Sequence, residues 1–153
     1  MKTKIPSEED IKSKGMVFTP PKLVNEMLDK LPVEFFTNAS KTMLEPACGT
    51  GNFMVEFLKR RMEAGMSHLE ALKSMYGIDI DQENVNICRQ RLSLNSTDEN
   101  IWYILKLNIV CADSLCEYHP GWNRTGFMWS KVVIFREIYP NSDIKEFDNF
   151  IIL

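Results

Sequence analysis

Three carboxylates stand directly after predicted strands, and they are the residues of this sequence best suited to bind a ligand. Glu45 begins the segment Glu45–Phe53 (EPACGTGNF), and Asp79 and Asp113 end two later apolar runs. Carboxylate oxygens accept hydrogen bonds from ammonium groups, ribose hydroxyls and exocyclic amines. Taken singly, Asp113 is better explained as a turn residue, Asp79 equally well as a helix cap, and Glu45 could be a surface acid. Three in succession at strand ends, the first beside two glycines, instead indicate one ligand site.

The turn after Glu45 predicts a close approach of the backbone to this ligand. Gly49 and Gly51 allow a sharp turn, and the helix that follows presents free N–H groups at its start. The third glycine of the dinucleotide fingerprint is missing, and a pyrophosphate would face Glu45 with like charge. Both points disfavour a Rossmann-like NAD-binding module, although Asp79 fits that alternative. Ile80, beside Asp79, can pack on an adenine face.

The elements that position these residues alternate between strand and helix. The first half of the chain is expected to hold a helix opened by Thr19–Pro21 and ending near Pro32, a strand at 42–45, a helix from Gly51 or Asn52 to Gly65 and a short helix capped by Ser67. The second half is expected to hold a strand at 75–80, a helix capped by Asp81, a strand within 101–112 centred on 108–111, a further strand at 131–135 and a last one at 147–153. Thr19 is expected to cap the first helix. This alternation predicts an α/β fold with a parallel sheet flanked by helices.

Length, composition and charge suit a single globular domain. We expect residues 1–14 to be flexible and 15–153 to form the domain of this 153-residue chain. The net charge of −3 argues against a nucleic-acid-binding surface on this segment alone, and the basic run Lys59–Arg61 is expected to be a solvated helix face. Neither a signal peptide nor an apolar run of roughly 20 residues is present, so a cytoplasmic location is expected.

The four cysteines are expected to be reduced, and no metal site is predicted. Cys111, Cys116 and His119 lie near one another in sequence. Their spacing fits no standard zinc pattern, and a fourth ligand is missing. These cysteines are therefore interpreted as small apolar residues in or near a strand.

Four motifs, in this order, resemble the N-terminal part of the S-adenosylmethionine (SAM)-dependent DNA adenine-N6 methyltransferases of restriction–modification systems. They are Gly15–Pro21 (GMVFTPP), Leu44–Phe53 (LEPACGTGNF), Tyr76–Asp81 (YGIDID) and Val110–Leu115 (VCADSL). The resemblance covers about residues 15–115, and the order and spacing of the motifs make it more specific than any one of them. It implies a partial Rossmann-like methyltransferase fold with the strand order 3-2-1-4.

The resemblance also implies SAM as the cofactor and assigns its binding residues. At the methionine end, Thr19 and Pro20 would border the methionine moiety, and Glu45 with the backbone of Cys48, Gly49 and Gly51 would hold the amino-acid end. At the nucleoside end, Asp79 would bind the ribose hydroxyls and Ile80 would pack on the adenine. Asp113 would accept from the adenine amine, and Ser114 would offer its backbone N–H. The chain would then be the cofactor-binding portion of an enzyme that methylates the N6 amine of adenine in DNA.

The sequence departs from this family at the motif that holds the target base. Its members carry an Asn/Asp-Pro-Pro-aromatic tetrad after the fourth strand, where the flipped-out adenine is bound. Residues 147–153 resemble the strand that leads to this tetrad, but neither Asn-Pro-Pro nor Asp-Pro-Pro occurs in the sequence. No catalytic residue is therefore assigned, and the domain is expected to be incomplete at its C-terminus. DNA is expected as a partner of the full-length enzyme, and a protein partner at the edge formed by residues 147–153.

Two alternatives stay open beside the DNA methyltransferase. The first is a non-catalytic SAM-binding subunit that completes a partner. The second is a methyltransferase that acts on RNA or on protein glutamine, because the same cofactor motifs occur there. The Thr-Pro-Pro segment at residues 19–21, placed before the glycine motif, favours DNA.

We expect the purified 153-residue chain to transfer no methyl group to DNA, because it contains no tetrad to hold the target adenine. The measurement is incorporation of tritium from labelled SAM into duplex DNA. Label on the DNA above a no-protein control would contradict this expectation.

Overall fold

The computed structural model describes residues 19–114 and 138–140 and the backbone of residues 150–152. The helices are α1 (Pro21–Leu28), α2 (Glu34–Thr37), α3 (Asn52–Glu63), α4 (His68–Leu72), α5 (Gln82–Leu92) and α6 (Glu99–Asn108), and the strands are β1 (Thr42–Glu45), β2 (Met75–Asp79), β3 (Ile109–Cys111) and β4 (Phe150–Ile152). The predictions for residues 1–14 and for a strand at 131–135 lie outside the described residues. The strand expected at 147–153 is present as β4.

The four strands form a parallel sheet in the order β3-β2-β1-β4. All four residues of β1 are buried, as expected for a strand that has neighbours on both sides and cover on both faces. Met43 packs with the described helices on one face, whereas Leu44 contacts Ile78 and Tyr139 on the other. The predicted α/β class with a parallel sheet is confirmed.

The strand predicted within residues 101–112 and centred on 108–111 is present as β3, but the residues before it form α6, so the predicted strand is wrong there. Asp98 caps α6 by accepting a hydrogen bond from the Asn100 N–H at 2.9 Å. Ile101 and Leu105, four residues apart, bury one face of the helix, while Tyr103 faces solvent. The segment is apolar on both faces, and this hid its helical period from the sequence interpretation.

Helix ends follow the local signals in most places. Ser67 accepts from the Glu70 N–H and Asp81 from the Glu83 N–H, so both predicted caps are confirmed. Gly65, at φ +111°, ends α3 in the left-handed conformation that favours glycine. The predicted Thr19 cap is wrong: Pro20 occupies the N-cap position of α1 and no side chain caps it, and this helix ends at Leu28, before Pro32.

Arg61 lies in the core. The sequence interpretation, which placed it on a solvated helix face, is wrong for this residue. Its side chain is 0% exposed and its guanidinium donates four hydrogen bonds of 2.6–2.9 Å. The acceptors are the carbonyl oxygens of Phe35, Lys41 and Ala71 and the hydroxyl of Ser74. Burial lowers its pKa to about 10, so the group stays charged at neutral pH. Arg61 thereby ties the connections before β1 and β2 to α2 and α4.

The described residues contain neither a membrane-spanning helix nor a cluster of metal-binding side chains. No helix there has both the length and the apolar character needed to cross a membrane. No three His, Cys, Asp or Glu side chains there lie close enough to hold a metal ion. Cys116 and His119 lie outside the described residues.

We expect Arg61→Met to lower the free energy of unfolding by about 3 kcal/mol or more, because it leaves buried carbonyl oxygens without donors. Urea unfolding followed by circular dichroism measures the change. Lys59→Met is the control on the same helix: Lys59 is exposed and pairs with Glu56 at 3.3 Å, and its loss should cost under about 1 kcal/mol. Equal losses for the two variants would contradict the assignment of Arg61 to the core.

Candidate functional site

The turn between β1 and α3 is bound to the end of β2 by its backbone. The Cys48 N–H donates to the Ile78 carbonyl oxygen at 2.8 Å, and the Gly51 N–H donates to the Cys48 carbonyl oxygen at 2.9 Å. Gly49 and Gly51 have φ values of +54° and +93°, in the left-handed region. Gly51 is the N-cap of α3 and has no side chain to accept from the first turn, so these N–H groups are available to a ligand.

The two glycines differ in what surrounds them. A Cβ on Gly51 would lie 2.8 Å from the Sγ atom of Cys88, so α5 packs directly on the turn there. A Cβ on Gly49 would meet nothing within 4 Å, so this glycine borders open space. Gly51 is therefore required both by its φ and by packing, whereas Gly49 is required by its φ alone.

Asp79 joins the glycine turn to the start of α5. Its Oδ2 atom accepts from the Gly49 N–H at 3.0 Å, and its Oδ1 atom accepts from the Asp81 N–H at 2.9 Å and from the Asn84 amide at 3.3 Å. A carboxylate has about four acceptor positions, so capacity remains for a hydroxyl donor. The sequence motifs did not indicate the bond to Gly49 or the part played by Asn84.

Glu45 is a buried carboxyl at the end of β1. Only 9% of its surface is exposed. Burial raises its pKa to about 8, although a hydrogen bond from the Ala47 N–H acts in the opposite direction. At neutral pH this carboxyl is therefore mostly protonated unless a cation reaches it.

The other residues of the predicted site lie at the same end of the sheet. The Thr19 carbonyl oxygen accepts from the Asn52 amide at 3.3 Å, which places Thr19 and Pro20 beside the start of α3. Ile80 is 72% exposed, as an apolar contact surface for a ligand must be. The Ala112 N–H donates to the Asp79 carbonyl oxygen at 3.0 Å, so Asp113 and Ser114 begin next to the end of β2. Binding of a ligand by these residues stays a prediction.

Cys48 and Cys88 form a buried pair of thiols beneath the turn. The neighbouring side chain of Cys88 is the main cause that raises the pKa of Cys48, and burial adds to it. Cys48 is therefore a neutral thiol at physiological pH and has no nucleophilic character. Cys48 contributes to the turn through the hydrogen bond from its N–H to the Ile78 carbonyl oxygen and through its packing against Cys88 of α5.

The raised pKa of Glu45 gives stability a definite pH dependence. The folded protein holds this proton more tightly than the unfolded chain, so the stabilisation is full below pH 4.5 and is lost as the pH rises to about 8. Glu45→Gln should abolish this fall, whose slope is at most about 1.4 kcal/mol per pH unit, and should exceed the wild type in stability above about pH 8.

Urea unfolding between about pH 5 and about pH 9 tests this expectation. Glu63→Gln, which removes an exposed carboxylate of α3, is the control for loss of charge. Parallel stability curves for Glu45→Gln and the wild type would show that Glu45 does not titrate in this way.

Comparison with known proteins identifies the family. Residues 6–133, more than half of the chain, match the model of the family described as N-6 DNA Methylase. Over 86 residues the chain is 33% identical to the Type II methyltransferase M.VspI of Vibrio sp. (strain 343). The matched part covers 56% of this chain and 18% of that relative, so the chain spans less than a fifth of the relative's length. The resemblance seen in the motifs is confirmed, and the chain belongs to the N-6 DNA methylase family.

Proposed function

We propose that this chain is the SAM-binding portion of a DNA methyltransferase that modifies the N6 amine of adenine in a restriction–modification system. Family membership supports the methyltransferase class. The observation that carries the cofactor assignment is the hydrogen bond of 3.0 Å between the Gly49 N–H and the Asp79 carboxylate. This bond directly joins Asp79, which is expected to bind the ribose, to the glycine turn, which is expected to bind the amino-acid end.

Each part of SAM has a group of matching chemistry in the proposed site. Glu45 would pair with the ammonium group, the N–H groups at the start of α3 would face the carboxylate, and Asp79 would accept from the ribose hydroxyls. Ile80 would cover one face of the adenine, with Asp113 and Ser114 at its edge, and Thr19 and Pro20 would border the methionine chain. Bound SAM supplies a methyl group on a sulfonium, and the residues named here hold and orient it.

The burial and raised pKa of the Glu45 carboxyl favour a cationic ligand group over a phosphate. An ammonium beside Glu45 lowers the carboxyl's pKa from about 8 and restores a charge that burial disfavours. A pyrophosphate would raise that pKa further and would gain no ion pair. SAM therefore suits this position better than NAD.

The sheet supports the same proposal at the level of the fold. The observed order β3-β2-β1-β4 is that of the 3-2-1-4 part of a methyltransferase sheet. In an open parallel sheet, ligands bind at the carboxyl ends of the strands, where Glu45 and Asp79 lie. We propose that this edge is the cofactor cleft and that β4, the outer strand, adjoins the part of the enzyme that binds the target base.

A second candidate is a non-catalytic SAM-binding subunit, and one observation favours it. β4 is an outer strand of the described sheet, where a partner's strand could pair with it. Under this alternative, a partner protein would supply the base-binding motif and dock at β4. In both cases DNA would be contacted mainly outside this segment, whose net charge is −3.

Ile80→Ser tests the proposed cofactor site with little risk to folding, because Ile80 is 72% exposed. Losing its contact with adenine should weaken SAM binding by about 1–2 kcal/mol, roughly 5- to 30-fold, in isothermal titration calorimetry. Val33→Ser is the matched control, since Val33 is also 72% exposed but lies at the start of α2. We expect unchanged binding for Val33→Ser and weaker binding of NAD than of SAM to the wild type.

Two results would contradict the proposed cofactor site. Binding of NAD without binding of SAM would replace the methyltransferase cofactor by a dinucleotide. Equal loss of affinity in Ile80→Ser and Val33→Ser would remove Ile80 from the site.

A further inference from the structure

Arg91 on α5 connects two parts of the proposed cofactor site through the side chain of Asn52. Its Nη1 atom donates to the Thr50 carbonyl oxygen at 2.9 Å and to the Oδ1 atom of Asn52 at 2.8 Å. The Nδ2 atom of Asn52 donates in turn to the Thr19 carbonyl oxygen at 3.3 Å. Arginine can only donate and a carbonyl can only accept, so a single orientation of the Asn52 amide satisfies both neighbours.

These hydrogen bonds come from a charged and partly buried donor. Burial lowers the pKa of Arg91, while Cys88 and the carboxylate of Glu56 oppose the shift. Hydrogen bonds from a charged donor are roughly twice as strong as those between neutral groups. Arg91 is thus well suited to hold a turn whose glycines would otherwise leave it free to move.

The hydrogen bond between the Gly49 N–H and Asp79 joins the two ends of the proposed site, but each end also has contacts of its own. At the nucleoside end, Asp79 is bound by Asn84, and the Ala112 N–H donates to the Asp79 carbonyl oxygen. At the methionine end, Thr50 and Thr19 are joined through Asn52 and Arg91. Loss of Arg91 should therefore affect the ends unequally.

We propose that Arg91 is a positioning residue that holds the glycine turn and the Thr19–Pro20 segment together around the methionine end of the cofactor. This inference rests on the proposed function, because it concerns the same site. Arg91 itself is not among the residues expected to contact the ligand. It acts through Thr50 and Asn52, and its removal should change which ligands bind rather than abolish binding altogether.

The discriminating measurement compares SAM with adenosine, which lacks the methionine end. Arg91→Met keeps the apolar stem and removes the donors, and it should weaken SAM binding about tenfold while changing adenosine binding less than about twofold. Arg89→Met is the matched control: Arg89 lies on the same helix and donates to the Ile109 carbonyl oxygen. It should leave the ratio of the two affinities unchanged in calorimetric and ligand-observed NMR titrations.

Amide hydrogen exchange of the unliganded protein tests the connection through Asn52. Arg91→Met should accelerate exchange in peptides covering 48–55 and 19–28. Asn52→Asp keeps an acceptor for Arg91 but loses the donor to Thr19, so it should accelerate exchange mainly in 19–28. Arg91→Lys, which keeps the charge, serves for both measurements if Arg91→Met does not fold.

Each outcome decides the inference. A selective loss of SAM affinity together with faster exchange in both peptides supports it. Equal loss of SAM and adenosine, or unchanged exchange, overturns it and leaves the proposed function standing. Failure of the wild-type protein to bind SAM overturns both the proposed function and this inference.

Discussion

The close packing of α3 against β2 is the constraint on which the rest of the structure depends. A Cβ on Gly77 would lie 2.7 Å from the Sδ atom of Met54 and 3.2 Å from the Cβ atom of Cys48, so only glycine fits at this position of β2. This approach brings the turn after β1 to the end of β2, where the Gly49 N–H reaches the Asp79 carboxylate. The candidate site is thus a consequence of how tightly one helix lies on one strand.

An arginine donates hydrogen bonds to backbone carbonyl oxygens at each end of the sheet. Arg61 does so at the amino ends of the strands and Arg91 at the carboxyl ends. Arg61 lies at the amino ends of the strands, where it binds the carbonyl oxygen before β1 and the hydroxyl of Ser74 before β2. It is fully buried, as a group that only supports the framework can be. Arg91 lies at the carboxyl ends, where it binds the glycine turn and is partly exposed to solvent. The rigid edge and the proposed ligand-binding edge are therefore stabilised independently.

Burial sets the protonation state of Glu45, the carboxyl to which the proposed function assigns a cationic ligand group. Glu45 is buried, and its pKa is raised to about 8, so an unliganded protein at neutral pH carries most of this group as a neutral acid. Under the proposed function, a ligand ammonium would supply a counter-charge that no described residue brings to this carboxyl. Binding of that ligand would then offset the cost of burying Glu45, as is common where functional residues lower stability.

The sequence by itself determined the family, the α/β class, the glycine turn and most helix starts. These depend on patterns within a few residues: Gly-x-Gly after a strand, Ser67 three residues before Glu70, and Asp81 two residues before Glu83. Tertiary structure decided the features that depend on contacts between distant residues. The burial of Arg61 requires Phe35 and Ser74 to converge on it, and the helical state of α6 depends on burying Ile101 and Leu105. The Arg91–Asn52–Thr19 connection, spanning residues 39 and 33 positions apart, likewise exists only once α5 and α3 have packed, because no local pattern encodes such a pairing.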